Sequence, residues 1–380
     1  MERRMYINGN WQEAQSGKKL TLTSPTDSSI IAVVTKGDVE DARLAITAAK
    51  IAFQPGSVWR KTSEEQRSKL FLRTAELMEE RIELFANAES ECNGRHLRET
   101  RNDAMSAAGL FRYYAGILGQ VTGSTFNMSD GITSMTMLEP VGVVGGITPW
   151  NYPLMIACGI IAPALAAGNT VVLKPASNTP LTSILLFEVL DAVGFPEGVV
   201  NLVLGGGDVG EEIVRSFDVD MVMFIGGTET GRRIMQAASN NVKRVALELG
   251  GKSPVIVFDD CNLEATVDHV LMGIFLSSGQ VCTAGSRIIV QEEIYDEFVN
   301  RVAERASKIR VGRYDDVSAQ IGPLASEAHL KNVMAYIETG IDEGARLVTG
   351  GKQFKTEALA NGYFLEPTVF ADVRNSMKIA

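Results

Sequence analysis

The sequence predicts an α/β protein built around a parallel sheet with helices on both faces. Three observations predict it. Between residues 141 and 239, short runs rich in Val, Ile and Leu alternate with helical stretches. Strands that are apolar almost throughout belong to sheets covered on both sides, and their alternation with helices marks a parallel arrangement. Glycine-rich turns follow several of the runs. Finally, 380 residues with 45% apolar and 22% charged side chains have the balance of a folded globular chain, long enough for two or three domains.

The first forty residues read as short strands and turns at Met5–Asn8, Leu20–Thr23 and Ile30–Val34. After Asp38, residues Val39, Ala42, Ala45, Ile46, Ala49 and Ala52 recur at three- and four-residue spacing, which is helical. Ser63 to Asn87 is a second helical region and Arg101 to Leu118 a third. Ser124 to Leu138 alternates about Met128-Ser129-Asp130-Gly131, the pattern of a β-hairpin.

The alternating units follow. Val141–Ile147, Thr170–Lys174, Val199–Leu204 and Met221–Ile225 are strands. Pro153–Ala167, Leu181–Val193, Glu211–Ser216 and Gly231–Ser239 are the intervening helices. The most apolar stretch, Leu154 to Ala167, is interrupted by Gly159 and Pro163. It is too short to cross a bilayer and reads as a buried helix. Val242–Leu249 and Pro254–Phe258 continue as strands, then helix Leu263–Phe275, strand Arg287–Gln291, and helices Asp296–Ile309 and Glu327–Glu343.

The net charge of −10 argues against a general nucleic-acid binder, which needs a basic face. Cys92, Cys158, Cys261 and Cys282 form no C-x-x-C pair, and there are three histidines. Neither a metal site nor a disulfide framework is expected, and reduced thiols suggest a cytoplasmic protein. The N-terminus, Met1 to Gly9, lacks the apolar core of a signal peptide.

Three strand ends compete as nucleotide sites. Gly205-Gly206-Gly207-Asp208-Val209-Gly210 matches G-x-G-x-x-G after a strand. However, the next strand ends in Gly226-Gly227, without the carboxylate of the dinucleotide fingerprint. A plain strand-to-helix turn explains it equally well. Gly226-Gly227-Thr228-Glu229-Thr230-Gly231 also opens a helix after a strand, where backbone N–H groups face an anion. Lys174, in Lys174-Pro175-Ala176-Ser177, can bond ribose hydroxyls or be a solvated surface lysine. Three such ends in one sheet favour a nucleotide, because ligands gather at the carboxyl ends of parallel strands.

Cys158 and Cys261 read as apolar filler. Cys282 differs, because Ser277 to Ser286 is small, polar and flanked by glycine. A thiol in an open loop is a candidate nucleophile. Glu248 closes a strand before Gly250-Gly251-Lys252. At a buried strand end it is a candidate general base, or an ion-pair partner of Lys252 or Lys243. Asn151 can donate to an oxyanion or cap the helix that begins at Pro153.

Taken together, four motifs strongly resemble the aldehyde dehydrogenase superfamily. They are Ile147-Thr148-Pro149-Trp150-Asn151-Tyr152-Pro153, Ala162-Pro163-Ala164-Leu165-Ala166-Ala167-Gly168-Asn169, Leu247-Glu248-Leu249-Gly250-Gly251-Lys252-Ser253-Pro254 and Gly279-Gln280-Val281-Cys282. The resemblance runs from about Met5 to the last residue. It implies a Rossmann-like cofactor domain (1–122 and 141–249), an oligomerisation hairpin (123–140) and an α/β catalytic domain (250–380). It makes Cys282 the nucleophile, Asn151 and the Cys282 N–H the oxyanion site, and Glu248 the base that activates water against a thioester. It places NAD or NADP against Thr148, Pro149, Trp150, Asn151, Lys174, Ser177, Gly207, Gly210, Gly226, Gly227, Thr228, Gly231 and the backbone of Leu249. The partners it implies are an aldehyde substrate and, through the hairpin, a homodimer or homotetramer.

Three points qualify the resemblance. Many NAD-preferring members carry Glu at Ser177, so acceptance of NADP is expected. Gly159 stands where the family often has Trp, which argues against the aromatic enclosure that betaine aldehyde dehydrogenases offer a quaternary ammonium. The family also continues beyond Ala380 into a segment that holds the nicotinamide ribose, so these residues are expected to be a fragment or a chain of impaired turnover. A cofactor-binding relic and a coenzyme A-acylating member are the other readings; Glu248 argues against the latter.

Overall fold

The computed structural model describes residues 2–380. They form two compact units, one of residues up to 21, 32–85 and 101–248, the other of residues 22–31, 86–100 and 249–380. Segments 22–31 and 86–100, which precede the alternating units in sequence, thus cluster with the C-terminal part of the chain.

The first unit holds a seven-stranded sheet. Its strands are β1 (Met5–Ile7), β2 (Asn10–Gln12), β3 (Val143–Ile147), β4 (Thr170–Lys174), β5 (Val200–Leu202), β6 (Met221–Gly226) and β7 (Arg244–Leu249). Their spatial order is β7-β6-β3-β4-β5-β1-β2. β3 runs parallel to β4, with Val144 opposite Val171, and parallel to β6, with Val144 opposite Met221. β4 and β5 are parallel as well, whereas β1 lies antiparallel to β5 and β2.

Every residue of β3 and β4 is buried, which explains their uninterrupted apolar sequence. Gly145 and Gly146 serve the covering helices. A Cβ on Gly145 would lie 2.4 Å from Ile213, and one on Gly146 would lie 3.0 Å from Ile160. Consecutive strand residues point to opposite faces, so the two glycines let one helix approach from each side.

The helices are α1 (Val39–Phe53), α2 (Glu64–Glu79), α3 (Ile82–Asn93), α4 (Leu97–Ile117), α5 (Pro153–Ala166), α6 (Leu181–Val193), α7 (Gly207–Arg215) and α8 (Thr228–Ala238). α1 buries Ala42, Ala45, Ile46 and Ala49 and begins with an Asp38–Asp41 capping box. The region Ser63 to Asn87 is two helices rather than one. The first closes at Glu80, and Arg81 N donates back to Met78 O in a tighter turn. α7 and α8 begin earlier than their apolar spacing indicates, because glycines occupy their first turns.

Thr125–Asn127 pairs with Thr133–Met135 in the expected hairpin, turning through Asp130 (φ 63°) and Gly131 (φ 77°). Phe126, Met128, Ile132 and Met135 are exposed on it.

In the second unit, β8 (Pro254–Val257) pairs in parallel with β9 (Arg287–Val290). α9 (Leu263–Phe275) and α10 (Tyr295–Ser307) pack there around Val257, Val267, Val270, Phe298 and Val302. α11 (Glu327–Asp342), β10 (Arg346–Thr349) and β11 (Val369–Ala371) follow. Cys158 is buried in α5 as expected, whereas Cys261 is only partly buried beside the second core. Among the described residues, no helix is long and apolar enough to cross a membrane.

Candidate active site

The strand order places a crevice. From β3 the chain steps one way to β4 and β5, then returns to the other side of β3 for β6 and β7. Where the order reverses, the connections after adjacent strands leave on opposite faces, and a ligand fits between them. The reversal lies between β3 and β6. Thr148-Pro149-Trp150-Asn151 follow the first of these strands, and Gly226 to Gly231 follow the second.

Thr148 N donates to Lys174 O at 3.1 Å, carrying the β3–β4 pairing one residue further. Its buried hydroxyl has no hydrogen-bond partner among the described residues. Asn151 does not cap α5. The cap position is Tyr152, followed by Pro153, and Tyr152 supplies no side-chain cap bond.

Lys174 is not a solvated surface lysine. It is buried, and burial pushes its ammonium down to about 8 against the opposing influence of Asp208. Nζ donates to Pro175 O at 3.0 Å. Gly210 lies beneath it, since a Cβ there would sit 3.6 Å from Lys174 Cδ. Ser177 Oγ donates to Gly205 O at 2.8 Å.

Gly206 and Gly227 are the cap residues of α7 and α8, and neither helix start carries a side-chain cap. Their first N–H groups are therefore directed at whatever lies off the strand ends, the geometry of an anion site. Side chains added at Gly207 or Gly227 would meet nothing within 4 Å. Gly226 is different: a Cβ there would lie 2.4 Å from the Phe224 ring. Thr228 opens α8, and Gly231 N closes its first turn onto Gly227 O at 3.0 Å.

Glu248 is exposed near the end of β7, not buried as its position suggested. It forms no ion pair among the described residues. Lys243, one of the two candidate partners, instead donates to Ser216 O at 2.6 Å. Lys252 lies below its ordinary range through burial and the Arg287 charge. Leu249 is half-buried beside Glu248.

Cys282 belongs to the second unit and is exposed. The turn leading to it is left-handed at Ser277 (φ 51°), Ser278 (φ 56°) and Gly279 (φ 77°). Such backbone is strained for serine and persists only where surroundings impose it. A Cβ on Gly251 would lie 3.2 Å from Cys282 O, so that glycine permits a close approach to the thiol's backbone.

The surroundings of Ser277 were not evident from sequence. Arg95 Nε donates to Ser277 Oγ at 2.8 Å, and Ser277 Oγ donates to Glu99 Oε2 at 2.6 Å. Arg95 also faces Glu89 at 3.4 Å and Glu99 at 3.5 Å. Arg95 and Glu89 are 3% and 1% exposed, a level that charged residues reach only when paired. No local motif announces these residues; the only signal is a cluster of charges just past a glycine, Gly94.

The model of the aldehyde dehydrogenase family matches residues 11–380. A betaine aldehyde dehydrogenase of Bacillus subtilis is 44% identical over 384 residues, covering 100% of this chain and 78% of that one. Aldehyde dehydrogenase family 2 member C4 of Arabidopsis thaliana is 40% identical, covering 99% and 75%. A crystal structure of betaine aldehyde dehydrogenase from Staphylococcus aureus in complex with NAD+ superposes with a TM-score of 0.97 at 41% identity, covering 99% of this chain and 75% of that one.

Proposed function

Because the chain belongs to the aldehyde dehydrogenase family, we propose that it oxidises an aldehyde to a carboxylic acid through Cys282, Asn151 and Glu248. The Cys282 thiolate attacks the carbonyl carbon and makes a thiohemiacetal. The Asn151 amide and the Cys282 N–H hold the oxygen as its charge develops. A nicotinamide cofactor supplies the hydride acceptor that leaves the carbon as a thioester on sulfur. Glu248 takes a proton from water, the water oxygen adds to the thioester carbon, and collapse expels the thiolate and the acid.

The observation that carries this reading is the exposed thiol just after a left-handed turn whose Ser277 is bonded to buried Arg95 and to Glu99. The crevice fits the cofactor on its own terms. Two uncapped helix starts suit a pyrophosphate, and open space at Gly207 and Gly227 admits close backbone approach. Lys174 and Ser177 would hold the adenosine ribose, and Thr148 to Asn151 the nicotinamide side. The bacterial relative is solved with NAD+, and here the absence of a carboxylate at Ser177 favours acceptance of NADP as well.

The exposed Glu248, which forms no ion pair among the described residues, favours hydrolysis over transfer to coenzyme A, because a thioester meant for a thiol must be kept from activated water. Gly159 carries no side chain, so it offers no ring to a quaternary ammonium. We therefore read the substrate as an aldehyde without that group, although similar proteins are named for betaine aldehyde. Assembly into a homodimer or homotetramer through the apolar hairpin, and a cytoplasmic setting, belong to the same proposal.

The test is absorbance at 340 nm with NAD+ or NADP+ and a panel holding propanal, benzaldehyde and betaine aldehyde, without coenzyme A. Wild-type protein should reduce cofactor with propanal or benzaldehyde, and Cys282→Ala should not. A strict requirement for coenzyme A, or undiminished activity in Cys282→Ala, would refute the mechanism.

A further inference from the structure

We propose that Arg95, Glu99 and Ser277 are positioning residues for the reactive thiol. Resting on the reading of Cys282 as nucleophile, the inference adds that its attack geometry is imposed by a buried charge cluster through the Ser277 hydroxyl.

Several hydrogen bonds converge on Ser277, among them one from its own N–H to Glu99 Oε1 at 3.4 Å. Its hydroxyl accepts from Arg95 at 2.8 Å and donates to Glu99 at 2.6 Å. Its carbonyl accepts from the side chain of Gln280 at 3.1 Å and from Gln280 N at 3.1 Å. Gln280 Oε1 in turn accepts from Ala325 N at 2.9 Å, and Ser278 Oγ donates to Gly322 O at 2.9 Å. The turn is thus tied to α4, to the Gly322–Ala325 segment and to itself.

A serine hydroxyl has one proton and two acceptor lone pairs. Here the proton goes to a carboxylate and a lone pair receives a guanidinium proton, so hydroxyl rotation is fixed by charges on both sides. Charge-assisted bonds are the strong ones, and a buried cluster resists rearrangement because breaking it strands a charge. The cluster therefore holds three consecutive left-handed residues that the chain would otherwise leave. Cys282 follows the last of them by three residues, so any relaxation of the turn moves its sulfur.

Two different roles for Ser277 can be separated. If the site merely needs a residue tolerant of positive φ, glycine should serve better than serine. If the hydroxyl tie matters, glycine should fail. The experiment compares Ser277→Gly, Ser277→Ala and Glu99→Gln with wild type in the full chain. It measures kcat and KM for aldehyde oxidation, the second-order rate of Cys282 alkylation by iodoacetamide, and the melting temperature.

The expected result is a fall in kcat of at least tenfold in both serine variants and a changed alkylation rate. KM for the cofactor should be unchanged, and Ser277→Gly should keep a melting temperature close to wild type. Wild-type kcat and alkylation in Ser277→Gly would overturn the proposal, whatever Ser277→Ala does. Should Ser277→Ala fail to fold, Ser277→Gly and Glu99→Gln decide. If wild type oxidises no aldehyde, the functional reading fails, and the alkylation rates still test the positioning of the thiol.

Discussion

Ser177 gives its hydroxyl proton to the carbonyl of Gly205, 2.8 Å away. A phosphate oxygen needs donors, and in this arrangement Ser177 presents lone pairs. Acceptance of NADP then depends on the carboxylate that is missing here more than on a bond that serine donates. Ser177→Glu should weaken NADP by roughly tenfold or more through repulsion of the 2′-phosphate, while NAD binding holds or improves. Fluorescence titration with both cofactors checks it. Equal loss for the two, or NADP binding far below NAD in wild type, would contradict it.

Lys174 yields a prediction of opposite signs for stability and binding. Its folded pKa of about 8 lies below the ordinary 10.5. The unfolded chain therefore binds more protons between these values, and stability rises as pH climbs through that window. Below pH 8 the full cost is present, up to about 3 kcal/mol at about 1.4 kcal/mol for each pH unit. Lys174→Met should thus raise the melting temperature at pH 7, with the gain shrinking towards pH 10, yet weaken cofactor binding. Thermal melts from pH 7 to pH 10 would expose a pH-independent difference if the burial argument is wrong.

On the proposed reading of Glu248 as the base, Glu248→Gln removes it and keeps the shape. Since the carboxylate is exposed and forms no ion pair among the described residues, the fold should not suffer. One equivalent of reduced cofactor should form rapidly, followed by turnover slower by roughly 10²–10⁴-fold. Stopped-flow absorbance with an acid-quenched mass measurement would reveal the acyl-enzyme. Loss of the burst itself would assign Glu248 to an earlier step.

Gly226 and Gly227 are neighbours with different obligations. Gly226→Ala drives a methyl against Phe224, which is 6% exposed and cannot swing into solvent. The overpacking should cost about 1–3 kcal/mol. Gly227→Ala meets open space at an ordinary φ of −77°, so its cost should stay within about 1 kcal/mol. Urea denaturation of the two variants tests the contrast, and equal midpoints would disprove it.

The legible parts of this fold share a cause. β3 and β4 are buried on both faces, and burial of that kind writes itself into every residue. The helix face of Ala42, Ala45, Ile46 and Ala49 was equally plain. Cys282 stood out because its neighbours could not be core. What sequence hid depends on distant chain. Whether Lys174 or Glu248 meets solvent is decided by what packs over it, and the spacing of residues along a strand does not contain that information. The break at Glu80-Arg81 was hidden for a local reason, since both flanking stretches are good helices and nothing there forbids continuation. The Arg95 cluster was the least visible, because its members are ordinary surface residues until folding buries them.

The separation between Arg95 and Ser277 is 182 positions. No nascent or partly collapsed chain can make this contact locally, and closing so long a loop is an entropic step that comes late. If Cys282 is the nucleophile proposed above, its attacking geometry depends on a contact of long sequence separation. On that reading, an incompletely folded molecule would carry the thiol without the turn that aims it.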